Sequence, residues 1–210
     1  AQTSDDAQTS DDAQTSDDAQ TSDDTQTSDD SQSSDDAQTT VKLTKSDVTL
    51  KHTKLVYTGK ARKAGVSVTV NGVTLKKGTD YTVRYKNNTD IGSAKVIIKG
   101  IGSYSGTVTK TFKIVPKKTS ISSLTALSGG FKVKWKKQTA ETSGYQIQYS
   151  LTKDFSSKNT VTVSDTSRTV RKIRGLKSGK TYYVRVRTYS IVNGKKIYSS
   201  WSTVKKIRTN

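Results

Sequence analysis

The sequence predicts an all-β chain: two tandem antiparallel β-sandwiches behind a disordered acidic tail of hexapeptide repeats. Three observations carry this reading. Apolar and polar residues alternate with period two over many short segments. Turn residues recur about every ten positions between them. The composition changes abruptly after residue 36 of the 210.

The tail comes first. AQTSDD is repeated four times and continues as TQTSDD and SQSSDD, so residues 1–36 hold 12 Asp, no cation and no apolar residue larger than Ala. A hexapeptide period suits a β-solenoid only if each coil contributes an aliphatic residue to a core, and Ala, Thr and Ser bury too little. High charge without hydrophobicity predicts a flexible, self-repelling linker over residues 1–40. Weak Ca²⁺ binding by the paired Asp residues, O-glycosylation of Thr and Ser, and attraction of the tail to its own basic domains are the alternative readings.

Behind the tail the balance reverses. Residues 37–210 carry all 36 Lys/Arg against six acids, a formal charge of +30 that the acidic tail reduces to +18 for the whole chain. Such a body attracts polyanions of any kind, and the plain alternative is a solvated Lys-rich β-surface. There is no Cys and no Met. No apolar run is long enough for a signal peptide or a membrane span. The expectation is a fragment or mature region, with any export signal outside it.

From Val41 short strands alternate with turns. VSVTVNGVTL (66–75) places period-two residues around Asn71-Gly72, the strongest short hairpin signal. DYTVRYKNN (80–88) puts Tyr81, Val83 and Tyr85 on one face, and SAKVIIKG (93–100) does the same for Ala94, Val96 and Ile98. TVTKTFKIV (107–115) is a last strand before Pro116. The run LVYTGK, then VTVNGVTLKKGTDYTVRYKNN, then GSAKVIIKGIGSYSG, resembles a small bacterial immunoglobulin-like module over Leu43 to Val115. Such modules recur in surface and secreted proteins of Gram-positive bacteria as stalks, spacers or adhesin segments. That resemblance implies a first domain over 41–116, with no catalytic residues to carry over.

A short linker, Pro116 to Thr119, leads to the second domain, 117–210. FKVKWKK (131–137) turns Phe131, Val133 and Trp135 inward, and GYQIQYS (144–150) sets Tyr145, Ile147 and Tyr149 on one face with Gln146 and Gln148 opposite. Segments near 121–127 and at 159–163, 168–173, 181–190 and 201–209 complete seven strands. Trp135 on the second strand, Gly144-Tyr145 opening the third, and Leu176-x-x-Gly179-x-x-Tyr182 resemble a fibronectin type III domain over Ser120 to Thr209. Ser178 stands where that family usually has proline. The resemblance implies a tyrosine corner of Leu176, Gly179 and Tyr182, the Tyr182 hydroxyl turned back to the backbone near Leu176, and Trp135 as a core marker.

Alternation then points Val184 and Val186 inward and Tyr183, Arg185 and Arg187 outward. YSSWS (198–202) resembles the WSxWS motif of cytokine-receptor fibronectin domains, with Tyr198 replacing the first Trp. The expectation is a cation-π ladder in which Arg185 and Arg187 interleave with Tyr198 and Trp201. A ligand patch and simple solvated charge are the competing readings.

Catalysis and metals have little to stand on. His52 is the single histidine, and the six acids of the body show no convergent pair. LKSGKT (176–181) ends like a phosphate loop but runs straight into a strand, whereas a true phosphate loop joins a strand to a helix. The Asn87-to-Asp90 loop reads as a turn rather than a Ca²⁺ site. The sequence therefore predicts no enzyme, no cofactor and no metal. It predicts a monomeric, extracellular or cell wall-associated spacer or adhesion segment that presents other modules. Its expected partners are an anionic cell-wall polymer, a glycan or a host surface, with nucleic acid bound only non-specifically. The alternative is a carbohydrate- or polyanion-binding accessory module of a larger secreted enzyme.

Overall fold

A computed structural model of the chain describes residues 39–210, which contain strands and turns and no helix. The readings made on the repeat tail fall outside the described residues. Gln38–Asn210 form one compact unit, and it contains two separate hydrophobic cores.

The first core lies between sheets built from β1 (Val41–Lys42), β2 (Val48–Leu50), β3 (Lys54–Val56), β4 (Val66–Val70), β5 (Val73–Thr74), β6 (Tyr81–Lys86), β7 (Gly92–Gly100), β8 (Tyr104–Ser105) and β9 (Thr107–Val115). The order β3-β9-β7-β6 makes one sheet, β2-β4-β5 a second, and β1 pairs with β8. Alternation works as expected: Ala94, Val96 and Ile98 are buried on β7 while Lys95 and Lys99 are exposed. The β4–β5 hairpin turns at Asn71 and Gly72, whose φ values of 49° and 81° are the left-handed pair that a two-residue hairpin requires. Two pairings are parallel, β1 with β8 and β3 with β9, and nothing in the period-two pattern announces them. Asp80 ends a turn by accepting the Lys76 N–H at 2.6 Å, and Asn88 ties its loop to Arg62 by donating Nδ2–H to the Arg62 carbonyl at 2.9 Å.

The second core lies between two further sheets. β10 (Ile121–Leu127), β11 (Gly130–Trp135) and β14 (Val170–Arg174) form one. β12 (Gly144–Ser150), β13 (Lys158–Val163), β15 (Thr181–Val192), β16 (Lys195–Tyr198) and β17 (Lys205–Arg208) form the other. Phe131, Val133, Trp135, Tyr145, Ile147, Val184 and Val186 fill the space between them. Trp135 packs on Tyr145 with ring centroids 5.3 Å apart. The Tyr145 hydroxyl accepts the Gln138 N–H at 2.9 Å and donates toward the Gln138 and Thr166 carbonyls.

Three features depart from the alternation pattern. Strand β15 runs two residues past the expected end, to Val192. The expected final strand 201–209 is shorter, β17 alone, and an unexpected strand, β16, precedes it; both pair with β15. Gln146 and Gln148, placed on the outer face, are buried at 8% and 6% exposure.

The extra length of β15 joins the two sandwiches. Its inward parity starts with Tyr182, Val184 and Val186 in the second core. Thr188 follows, and its Oγ1 donates to the Lys117 carbonyl of the linker at 2.7 Å. Ser190 is next, and Val192 ends the row and, with Ile197 of β16, packs against the first core. The end of β15 is also anchored sideways, because the Ile191 N–H donates to Ser143 Oγ at 3.0 Å.

Gly130 opens β11 opposite Arg174, and a Cβ there would overlap the Ile173 carbonyl oxygen of the neighbouring strand. Backbone cannot yield as a flexible side chain does. Gly130→Ala is expected to destabilise the protein by about 1–3 kcal/mol, the usual range for overpacking. A chemical-denaturation midpoint equal to that of the parent would contradict this.

Candidate functional site

The outward parity of β15 and the segment between β16 and β17 build the most organised polar feature of the surface. Tyr183, Arg185 and Arg187 stand on one side of the strand. Opposite Arg185 and Arg187 across the ladder are Gln148 and Gln146 of β12. Each glutamine side-chain oxygen accepts two N–H groups from one guanidinium. Gln148 Oε1 takes Nε–H and Nη2–H of Arg185 at 3.0 and 2.7 Å. Gln146 Oε1 takes those of Arg187 at 2.9 and 2.6 Å. These forks hold each guanidinium by one edge and leave its two faces free to stack.

Fixed that way, each guanidinium presents both faces to aromatic rings. Arg185 lies 3.9 Å from the Phe155 ring centroid on one side and 4.4 Å from Trp201 on the other. Arg187 lies 4.1 Å from Trp201 and 3.7 Å from Tyr198. The order along the surface is Phe155, Arg185, Trp201, Arg187, Tyr198. Burial in this stack pushes both arginine pKa values down from the ordinary value, and for Arg187 the neighbouring Arg185 charge adds to the effect while Tyr198 opposes it. Both remain cations at any accessible pH, since a guanidinium does not deprotonate in a protein. Cation-π contact is worth roughly 0.5–1 kcal/mol per exposed pair and about 2 when desolvated.

The serines of YSSWS have a separate task. Between β16 and β17 the strand leaves the ladder, yet β15 loses no hydrogen bonds there. Ser199 N–H donates to the Thr188 carbonyl at 3.1 Å, and the Thr188 N–H donates to Ser199 Oγ at 3.1 Å. Ser202 repeats this with Val186, at 2.8 Å from its N–H and 3.0 Å to its Oγ. Each hydroxyl thus replaces a backbone carbonyl. Three-residue spacing lets the chain take longer steps between bonds, and that swings Trp201 out between the two arginines.

Sequence reasoning missed Phe155, Gln146, Gln148 and the roles of Ser199 and Ser202. Phe155 was findable in principle: it is the one aromatic in the turn between β12 and β13, where a polar residue is expected. It is buried at 3% exposure with φ of 60°.

At the Leu176–Gly179 turn the hydrogen bonds found come from Thr209. Gly179 N–H donates to the Thr209 carbonyl at 3.0 Å, and Thr209 Oγ1 donates to the Lys177 carbonyl at 2.7 Å. Leu176 N–H donates to the Gly129 carbonyl at 2.9 Å. Tyr182 is buried and packs its ring against Phe131 and Tyr149, while its hydroxyl is not among the groups that hold this turn. Trp135 is buried in the core, its indole N–H without a hydrogen-bond partner. Among the described residues no group of three or more His, Cys, Asp or Glu is placed to hold a metal, and no helix is long and apolar enough to cross a membrane.

Comparison with known proteins agrees with this architecture for the second sandwich. The family model for the fibronectin type III domain matches residues 115–205. No curated protein matches the chain. Among solved structures it is similar to the fn3 domain of human contactin 1, at 18% identity and TM-score 0.39, covering 44% of this chain and 76% of that one. It is also similar to the FN1-FN3 domains of chicken CNTN1, at 22% identity and TM-score 0.39, covering 57% of this chain and 42% of that one. Fibronectin type III domains are typically non-catalytic and commonly act as spacer or adhesion modules in multidomain proteins.

Arg185→Ala is expected to lower the melting temperature. Trp201→Ala should cost more, roughly 2–4 kcal/mol, because one ring serves two guanidinium faces. Thermal unfolding of both variants checks this. An Arg185→Ala protein that melts like the parent would remove the stack from the list of stabilising features.

Proposed function

We propose that this chain is a non-catalytic spacer segment of an extracellular or cell-surface protein, carrying other modules at a set distance and orientation. The observation that supports it best is the joint. A flexible tether would leave two sandwiches independent of each other. Here one strand serves both: β15 fills the second core, accepts the linker through Thr188, and with β16 lays Val192 and Ile197 on the first core. Apolar contact across such a joint resists bending, and a stiff two-domain rod is what presentation requires.

The remaining parts fit this reading. The segment 41–116 resembles modules used as stalks on Gram-positive surfaces, the fibronectin type III match at 115–205 covers most of 117–210, and residues 1–40 lead in with an acidic repeat. Adhesion to an anionic wall polymer, glycan or host surface is the companion role, drawn from the basic body.

The test is orientational. Residual dipolar couplings of the full chain are expected to fit a single alignment tensor for both sandwiches. Val192→Asp with Ile197→Asp is expected to require two tensors and to split thermal unfolding into two steps. Two tensors in the parent protein would rule out a rigid spacer.

A further inference from the structure

The joint also gathers charge. Between the sandwiches lies a cleft of about 290 Å³, and Lys54, Lys113, Arg187 and Lys196 line it together with Tyr198. None of its lining residues is acidic. The cations come from both sandwiches. Lys54 and Lys113 are direct partners in the β3–β9 register, and they point outward because their neighbours Leu55 and Ile114 point into the first core. Lys196 is held on β16 with its Nζ 4.9 Å from the Tyr189 ring centroid. Like charges directly across a sheet repel and cost stability, so this assembly has a built-in electrostatic deficit.

The carboxylates among the described residues do not relieve it. Asp47, Asp80, Asp154 and Asp165 accept hydrogen bonds within their own turns. Asp90 and Glu141 line the neighbouring openings instead. The cleft continues through Lys113, Lys196 and Ile197 into a second opening of about 710 Å³, where Lys195 adds a further cation before Asp90 closes the positive stretch. Four point charges in one small cleft, extended along a groove, suit successive anionic groups on a chain better than a single ion.

We infer that the cleft between the two sandwiches, formed by Lys54, Lys113, Arg187 and Lys196, is a binding site for a linear polymer bearing tetrahedral oxyanions, phosphate or sulfate. Lysines act there as point charges. The guanidinium edge of Arg187 is already held by Gln146, so Arg187 supplies a fixed charge at the cleft floor. The site goes beyond the spacer reading and does not depend on it: a rigid joint without a ligand leaves the spacer intact, and binding at the cleft does not by itself make the rod stiff.

The experiment titrates the full chain with inorganic polyphosphate by calorimetry across a salt series. Two triple variants are compared with the parent: Lys54→Gln, Lys113→Gln and Lys196→Gln in the cleft, and Lys134→Gln, Lys158→Gln and Lys172→Gln on exposed positions outside it. Matched melting curves establish that both fold. The expected result is saturable binding by the parent, unchanged by the remote substitutions. In the cleft variant the slope of log affinity against log salt should fall by about one for each lysine removed. Dextran sulfate is the second arm. Equal binding assigns the site to any tetrahedral oxyanion, and weaker binding assigns it to phosphate. Equal weakening in both variants, or no saturation, overturns the site in favour of diffuse counterion release. Preference for polyaspartate at the cleft overturns it in favour of the chain's own acidic repeat as the occupant.

Discussion

Side-chain alternation along one twelve-residue strand, β15, is the constraint on which the rest of the molecule depends. Because successive residues face opposite sides, a single strand can be core on one side and surface on the other for much of its length. Its inward row passes from the second core to the linker to the first core. Its outward row carries the two arginines. Moving the register by one residue would put Arg185 and Arg187 into the interior and expose Val184 and Val186. The joint, the stack and the second core therefore share one register and stand or fall together.

The outward row shows how a strongly basic body tolerates its charge. A carboxylate is the usual partner for arginine, but this half of the chain has three, and Asp154 and Asp165 are committed to turns. The arginines are matched instead with neutral partners: aromatic faces above and below and glutamine oxygens at the edge. The ring quadrupoles supply negative potential without a formal negative charge. The cost is partial desolvation of two cations, and the forked hydrogen bonds offset it.

Much of the architecture was legible in the sequence because it rests on local rules. Asn71-Gly72 specified its hairpin through backbone stereochemistry, and rows such as Ala94, Val96 and Ile98 specified their buried face through period two. Phe131, Val133 and Trp135 did the same for β11. What the sequence hid depends on distant chain. Gln146 and Gln148 look like solvent-facing residues until arginines some forty positions later cover them. The parallel β3–β9 contact has no periodic signature. Ser199 and Ser202 look like filler between aromatics, because a hydroxyl standing in for a carbonyl is a three-dimensional substitution. The aromatic pair in YSSWS pointed to the stack, but the third ring, Phe155, sits in a turn where composition rules expect polar residues.

The choice of glutamine rather than a carboxylate has a further consequence. Amides do not titrate, aromatic faces of Phe and Trp do not titrate, and a guanidinium stays protonated under any condition in which the fold survives. The turns capped by Asp47, Asp154 and Asp165 behave differently. Hydrogen bonds from neighbouring Thr and Ser groups hold their carboxyls below the usual range. Their contribution, present at neutral pH, therefore fades as acidity rises through those lowered values. Under acid the loops loosen while the stack keeps its bonding unchanged. The arginine–glutamine–aromatic contacts, unlike the turns around them, are thus insulated from the proton concentration outside.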